Sequence, residues 1–599
     1  MHTLDRHNFC GYFKKLESLI CKAAFVGKFL ISLDVTIYFS AIDFEFFGLP
    51  QHLKSGFEPS ISESPTERYG KLAASIKTYP PCQMGLSIFI ESNEGKTFTV
   101  HSYRMYLFKQ TIPDNGSQSN LPSFSYPSLA FLKDHNLDFN EWIKNGINFC
   151  NADELEKYKQ MLSSDFPDFS FLGDSFLSKL ETLRAELNFN LALSSAEVLT
   201  SSSSSSASSP SATPHVVHSP SIASMAGISS DSDSSYGLTY SFYLTGSTTQ
   251  HSYQQESRHA LWTEQLSPIE MNAVLYDLTS RFPRYTFKID DGKKLKISQV
   301  QSSSGYDQRV SLALDTLLSS IFGVSRIMQT LSNVANIPIV MHNASLDILY
   351  LQEYFVKHLP SKYEAAKNLI NFTFPCIIDT KFMSMLCNSF VKVKGGTKLN
   401  SFDLEQLKRY FDSRSNSVYS PNVAFPSPEL TNSLKKCQSN FHDAGHDSMI
   451  TGEMFIKLAA CFILNSQSTQ KRPTPTRFRE VLYLIRPSVA NRIPLPFIST
   501  PFINLAGQDP SPFDLYHIIL RKKQVRFDAM NGGGNGSSCF IVNWVKNHFL
   551  KIGKEDLDMV KEYIRAKLGA IGAGNKSRFD IKLNKDGSRI ELCCINHDV

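Results

Sequence analysis

The sequence predicts an α/β protein of layered sheet and helices, divided into more than one folded unit. Three observations lead there. Short β-rich runs alternate with stretches of helical spacing, the pattern of sheet-and-helix layers. At 599 residues the chain exceeds what one hydrophobic core organises, so two or three units are expected. Residues 194–258 are serine-rich, with an unbroken run from Ser201 to Ser206. They carry too few large apolar side chains to offset the entropy of ordering, so they are expected as a disordered linker.

Taken in order, residues 35–42 are β-rich, 67–77 have helical spacing, and 85–90 and 97–108 read as strands. Beyond the serine-rich stretch, 268–282 reads as a helix and 285–300 as a hairpin. Its turn is Asp290-Asp291-Gly292, where an Asp-Gly pair favours a tight reversal. Strand 337–341, helix 346–358, strand 376–379, helix 404–411 and helix 444–464 follow. The last part offers a strand at 515–521, a helix at 557–568 and a hairpin at 579–595 turning at Asp586-Gly587. Residues 412–440 and 532–538 lack sustained periodicity and are expected as loops.

Composition excludes more than it selects. Hydrophobic residues at 42% and charged residues at 20% are ordinary globular usage, which rules out global disorder. A formal charge of +5 does not by itself announce a nucleic-acid partner. The 11 cysteines contain no C-x-x-C pair, which argues against a zinc module or a secreted disulfide framework and for a reducing compartment. The apolar stretch at 23–31 is interrupted by Lys28 and too short to span a bilayer, so no membrane association is expected.

Three acidic segments carry the chemistry. Asp43 and Glu45 sit two apart at the end of a β-rich run, so both point to one face of the strand. Two crowded carboxylates are costly unless a cation neutralises them, which makes them good oxygen ligands for Mg²⁺. Asp347 follows an apolar strand at the start of a helix, the sheet edge where ligands gather in α/β folds. His442 and Asp447 flank the start of a late apolar helix, and converge only if His442 precedes the first turn. An imidazole there suits a general base, with His446 as the rival. Each segment alone is weak. Their order reproduces the DEDDh exonuclease arrangement, in which four carboxylates hold two divalent ions for phosphodiester hydrolysis.

At this point the chain resembles the poly(A)-specific ribonuclease family, deadenylases with an RNase-D-like fold. The resemblance extends to Ala41 through Phe46 with Gly48, Glu67-Arg68-Tyr69, Gln83 with Gly85-Leu86, and Phe131-Leu132 through Asn145-Gly146-Ile147. It continues in Ser325-Arg326, His342-Asn343, Leu346-Asp347, Asp379-Thr380-Lys381, and Ala444-Gly445 with Asp447. It implies an RNase-D/RNase-H-like DEDD exonuclease core, a mixed sheet flanked by helices. Its metal ligands fall on Asp43, Glu45, Asp347 and Asp447, and its base on His442. The implied cofactor is two Mg²⁺ (or Mn²⁺). RNA contacts fall on Phe46, Leu49, Phe131, Phe139 and Lys381, with core packing the better reading for Phe139.

The implied division is an N-terminal extension at 1–34, nuclease segments at 35–193 and 306–490 about the linker, a small inserted α-β-β nucleic-acid-binding domain of Arg-x3-His type at 259–305, and a partial RRM-like domain at 491–599. Lys288, Lys293, Lys294 and Lys296 make the inserted hairpin basic. The tryptophan that stacks on the mRNA cap in animal members falls near Leu583, which argues against cap binding. Met341 stands where a small glycine is usual, a source of crowding unless its side chain enters the core.

The expected activity is a Mg²⁺-dependent 3′-to-5′ exoribonuclease that shortens single-stranded poly(A) and releases 5′-AMP, in the cytoplasm and/or nucleus. A homodimer is a further implication. The alternatives are a trimmer of small non-coding RNA and a catalytically silent RNA-binding scaffold.

Overall fold

The computed structural model describes residues 1–29, 38–52, 63–92, 97–109, 123–164, 166–202, 239–243, 266–290, 294–300, 305–334, 337–390, 401–413, 422–424, 441–467, 478–495 and 500–511, with short strands inside 515–523, 539–543, 578–583 and 590–595. Strand β1 (His2–Leu4) and helix α1 (Phe9–Phe29) open the chain, followed by β2 (Tyr38–Phe46), α2 (Pro65–Thr78), β3 (Pro81–Ser92) and β4 (Thr97–Tyr106). Helices α3 (Tyr126–Asp134), α4 (Phe139–Asn145), α5 (Ala152–Leu162) and α6 (Asp174–Ser202) come next. Then come β5 (Thr239–Tyr243), α7 (Pro268–Arg281), β6 (Tyr285–Asp290), β7 (Lys294–Gln299), α8 (Tyr306–Phe322) and α9 (Ser325–Asn333). Strand β8 (Ile339–Met341), α10 (Ser345–Tyr350), α11 (Tyr363–Thr373), β9 (Ile377–Asp379), α12 (Thr380–Phe390), α13 (Leu404–Asp412), β10 (Asn422–Ala424), α14 (Ala444–Gln467) and α15 (Phe478–Val489) complete the main body.

The central sheet is mixed, in the order β1-β4-β3-β2-β8-β9, with β10 also on β4. Strands β2, β3 and β4 form an antiparallel meander, and β8 and β9 add in parallel. Alternation along each strand divides the core in two. Ile42, Phe44, Met84, Leu86, Tyr103, Met105, Ile339 and Met341 pack on one face. Phe39, Ala41, Phe89, Val100 and Val340 pack on the other, beneath Met449, Met454 and Phe455 of α14. Met341 is therefore fully buried, and on the opposite face from Ala41 and, by alternation, Asp43.

Local sequence explains where the helices begin. Ser64 and Glu67 form a reciprocal capping box ahead of α2, with Pro65 in the first turn, and Ser267, Glu270 and Pro268 repeat the device at α7. The single helix expected over 346–358 is α10 followed by a π-helical turn, Leu351–Val356. The strand expected at 515–521 divides into Leu515–His517 and Ile519–Lys523, which pair with different strands. The helix expected at 557–568 lies outside the described residues. Within 412–440, Asn422–Ala424 pairs in parallel with Thr97–Thr99 of β4.

Two stretches outside the expected nuclease segments carry regular structure. Within residues 1–29, β1 pairs with β4, and Phe9, Phe13, Leu16 and Ile20 of α1 are buried in the main core. The serine-rich stretch 194–258 is not wholly linker. Helix α6 continues to Ser202, and Thr239–Tyr243 pairs antiparallel with Lys294–Ser298 of β7. The three-stranded sheet β5-β7-β6 carries α7 on a separate core with Leu183, Leu187, Val274, Leu278, Leu295 and Leu317. Two of the hairpin's lysines, Lys288 and Lys296, pair with Asp290.

Candidate active site

Cross-strand register sets the base of the site. Asp43 lies opposite Gly85 and Glu45 opposite Gln83. A Cβ on Gly85 would fall 1.7 Å from the Ala444 carbonyl oxygen, so the missing side chain lets the start of α14 settle directly on β3. The Ala444 N–H donates to Gln83 Oε1 at 2.8 Å, which satisfies one of the free amides of the first turn. Ser102 Oγ donates to the Gly445 carbonyl, and Ser87 Oγ lies 2.9 Å from Ser448 Oγ, so small polar side chains line the contact.

Because α14 begins at Ala444, His442 stands outside the helix, which is the condition for its meeting Asp447. Its backbone is left-handed, with φ 70°, and its N–H donates to Asp447 Oδ2 at 2.8 Å. A ring nitrogen of His442 and carboxylate oxygens of Glu45 and Asp447 all lie within 4.8 Å of one another. Asp447 Oδ1 is buried, and among the described residues it has no hydrogen-bond partner. The rival His446 is buried with its ring 5.6 Å from that of Phe441, outside this group. Asp347 lies in the first turn of α10 and is buried.

Electrostatics shows how closely the acids converge. Burial, and then the charges of Asp447, Asp347 and Glu45, hold Asp43 well above the usual carboxylate range. Burial with Asp447 and Asp347 does the same to Glu45. Asp347 is pushed up to about 7 by burial and by Asp379, and Asp447 to about 7 by burial, Asp443 and Glu405. His442 is lowered, first by burial and then by His135, so its neutral form is favoured. A cleft that pushes carboxyls up in the absence of a cation, and leaves an oxygen of Asp447 unpartnered, fits an oxygen-ligated divalent ion.

The expected RNA contacts divide. The ring of Phe46 is stacked on Tyr350 at 4.1 Å. Leu49 is half-buried and its N–H donates to His52 Nδ1. Phe139 packs on the small core of Phe47, Leu132 and Leu137. Lys381 Nζ lies 3.3 Å from Asn343 Oδ1. Phe131 is 41% exposed, with its ring 4.7 Å from that of His442.

Several supporting residues escaped sequence reading. Arg104 of β4 donates to Asp443 Oδ2 at 2.6 Å and to Thr3 Oγ1 of β1, while Asp443 Oδ1 accepts the His446 N–H. Buried Asp379 accepts the N–H groups of Ala344 and Phe382, tying the turn before Asp347 to α12. Such partners are 35 and 339 positions apart, so no local spacing announces them. Gln83, Gly85 and Asp379 fall in segments that carry the family resemblance, which was the one available signal.

Comparison with known proteins follows the same lines. The family model described as CAF1 family ribonuclease matches residues 28–455. The 3′-5′ exoribonuclease parn-1 of Caenorhabditis elegans is 26% identical over 492 residues, 81% of this chain and 76% of that protein. The pre-piRNA 3′-exonuclease trimmer of Bombyx mori is 26% identical over 68% of this chain and 65% of its own length. The poly(A)-specific ribonuclease PARN of Xenopus laevis is 23% identical over 81% and 68%.

Proposed function

Because the chain belongs to the CAF1 ribonuclease family, we propose that its acidic cleft hydrolyses RNA one nucleotide at a time from the 3′ end and acts on poly(A) tails. The protein is a 3′-to-5′ exoribonuclease. The observation that carries the assignment of the site is the convergence of Asp43, Glu45, Asp347 and Asp447, drawn from three distant segments, with His442 beside two of them.

Asp43, Glu45, Asp347 and Asp447 would hold the divalent ions, Mg²⁺ or Mn²⁺. When bound, the ions supply charge stabilisation for the attacking and leaving oxygens of an in-line displacement. The rest is work for the protein's own groups. His442, whose neutral form is favoured, accepts the proton of the attacking water at a ring nitrogen. Its backbone N–H, donated to Asp447 Oδ2, holds base and carboxylate in one turn. Phe131, exposed beside His442, offers a ring face to a terminal base, and Lys381 at the turn of Asn343 offers a cation to a phosphate.

The helix and hairpin of α7, β6 and β7 constitute an inserted nucleic-acid-binding unit in this reading, and the C-terminal strands belong to an RRM-like unit. A homodimer, and action in the cytoplasm and/or nucleus, complete it. A second reading, trimming of small non-coding RNA, is favoured by the similarity to the Bombyx mori trimmer.

Incubation of 5′-labelled RNA ending in adenosines or uridines, with Mg²⁺ or EDTA and beside Asp43→Ala, tests the proposal. Stepwise Mg²⁺-dependent loss from the A-tail, slower on U and absent in the mutant, is expected. Equal rates on both tails would discard poly(A) preference and favour trimming; RNA bound but undegraded would leave a silent scaffold.

A further inference from the structure

The end of α3 places a second histidine against the proposed base. His135 caps that helix, and its ring centroid lies 4.5 Å from that of His442 with the planes 79° apart. The ring of Phe131 meets His442 in the same edge-on manner, at 4.7 Å and 71°, and His135 and Phe131 are 4.1 Å apart. The three rings form a closed triangle in which each restricts the others.

His135 is itself held. Its Nδ1 lies 2.8 Å from the Phe131 carbonyl oxygen, and since a carbonyl only accepts, Nδ1 carries a proton. The His135 N–H donates to the same carbonyl at 3.0 Å, and Asn136 turns the chain away with φ 63°. Backbone and ring are thus pinned to one turn of α3. On the other side, His442 has a fixed backbone, through its N–H to Asp447, but an exposed side chain. Among the described residues, no hydrogen bond holds the imidazole toward the acids. The rings of α3 are what oppose its rotation away from them.

We propose that His135 is a positioning residue, whose ring holds the His442 imidazole in the orientation from which it reaches the attacking water. The proposal rests on the reading of His442 as the base. It differs from a base-stacking role, which would act on RNA affinity rather than on turnover.

The test uses the full chain with Mg²⁺ and A-tailed RNA, and compares His135→Ala, His135→Phe and His135→Asn. Phenylalanine keeps the ring and loses the Nδ1 donor. Asparagine keeps a donor in that place and loses the ring. Loss of an edge-on aromatic contact corresponds to a decrease in kcat of about threefold to tenfold for His135→Ala, at unchanged KM. His135→Phe should restore most of the lost turnover, and His135→Asn should remain with alanine. Thermal melting of each variant separates this from partial unfolding. Unchanged kcat in His135→Ala, or a raised KM at unchanged kcat, would overturn the proposal while leaving the nuclease reading intact. Inactive wild-type protein would instead remove that reading, and this one with it.

Discussion

Four carboxyls crowded into one cleft destabilise the metal-free fold in a way that pH exposes. Asp347 and Asp447 are held at about 7 when folded, against about 4 in an unfolded chain. A raised folded pKa means that the stability these groups contribute is complete below about 4 and is lost as pH rises through about 7. Asp347→Asn removes one of the titrating groups. Its metal-free melting temperature should therefore exceed wild type by roughly 2–4 °C per kcal/mol gained, more at pH 8 than at pH 4.5. Added Mg²⁺ should raise the wild type above the mutant at pH 8, and should do little at pH 5, where protons compete for the same oxygens. A mutant less stable than wild type at every pH would show that the acids are not crowded. His442 carries a different strain. A left-handed backbone, φ 70°, favours glycine, so His442→Gly should melt no lower than wild type while losing about 10²–10⁴ in kcat. The pairing of Asp43 with Glu45 was legible because strand periodicity is two. The support from Asp379 was not, because it acts through two backbone N–H groups in other elements.

At the scale of elements, the contact of α14 with β3 decides whether the late segment reaches the early one. Alternating strands and helices, and the start of α14 after His442, could be read from spacing. The closeness of the contact could not, since Gly85 reads as an ordinary strand glycine until Ala444 is seen on top of it. Gly85→Ala should push the first turn of α14 outward, costing about 1–3 kcal/mol and most of the activity. Gly11→Ala is the control: that glycine of α1 has nothing within 4 Å of an added Cβ. There the substitution should stabilise by up to about 1 kcal/mol through helix propensity. Equal effects in the two variants, by urea unfolding, would rule out the close-approach account.

At the scale of the whole molecule, the first residues join the main core. Residues 1–34 are set apart by comparison with the resembled family, yet an informative spacing lies within them. Phe9, Phe13, Leu16 and Ile20 recur at intervals of four, three and four, the signature of a helix with one buried face. All four are buried in the same core as Ile42 and Phe44. At about 1.5–3 kcal/mol for each buried side chain, their removal rivals a typical total stability of about 5–15 kcal/mol. Deleting residues 1–29 should therefore yield protein without a cooperative melting transition, and Phe13→Ala alone should lose about 3–5 kcal/mol in urea unfolding. The consequence for the site is direct. Thr3 of β1 accepts from Arg104, which in turn holds Asp443 beside His442, so the edge of the sheet reaches the base in two contacts. Thr3→Val should leave stability within about 0.5 kcal/mol of wild type, as a surface substitution does, yet lower kcat because Arg104 loses its contact to β1. A truncated chain lacking residues 1–29 with wild-type melting and turnover would restore the extension reading and cut this path.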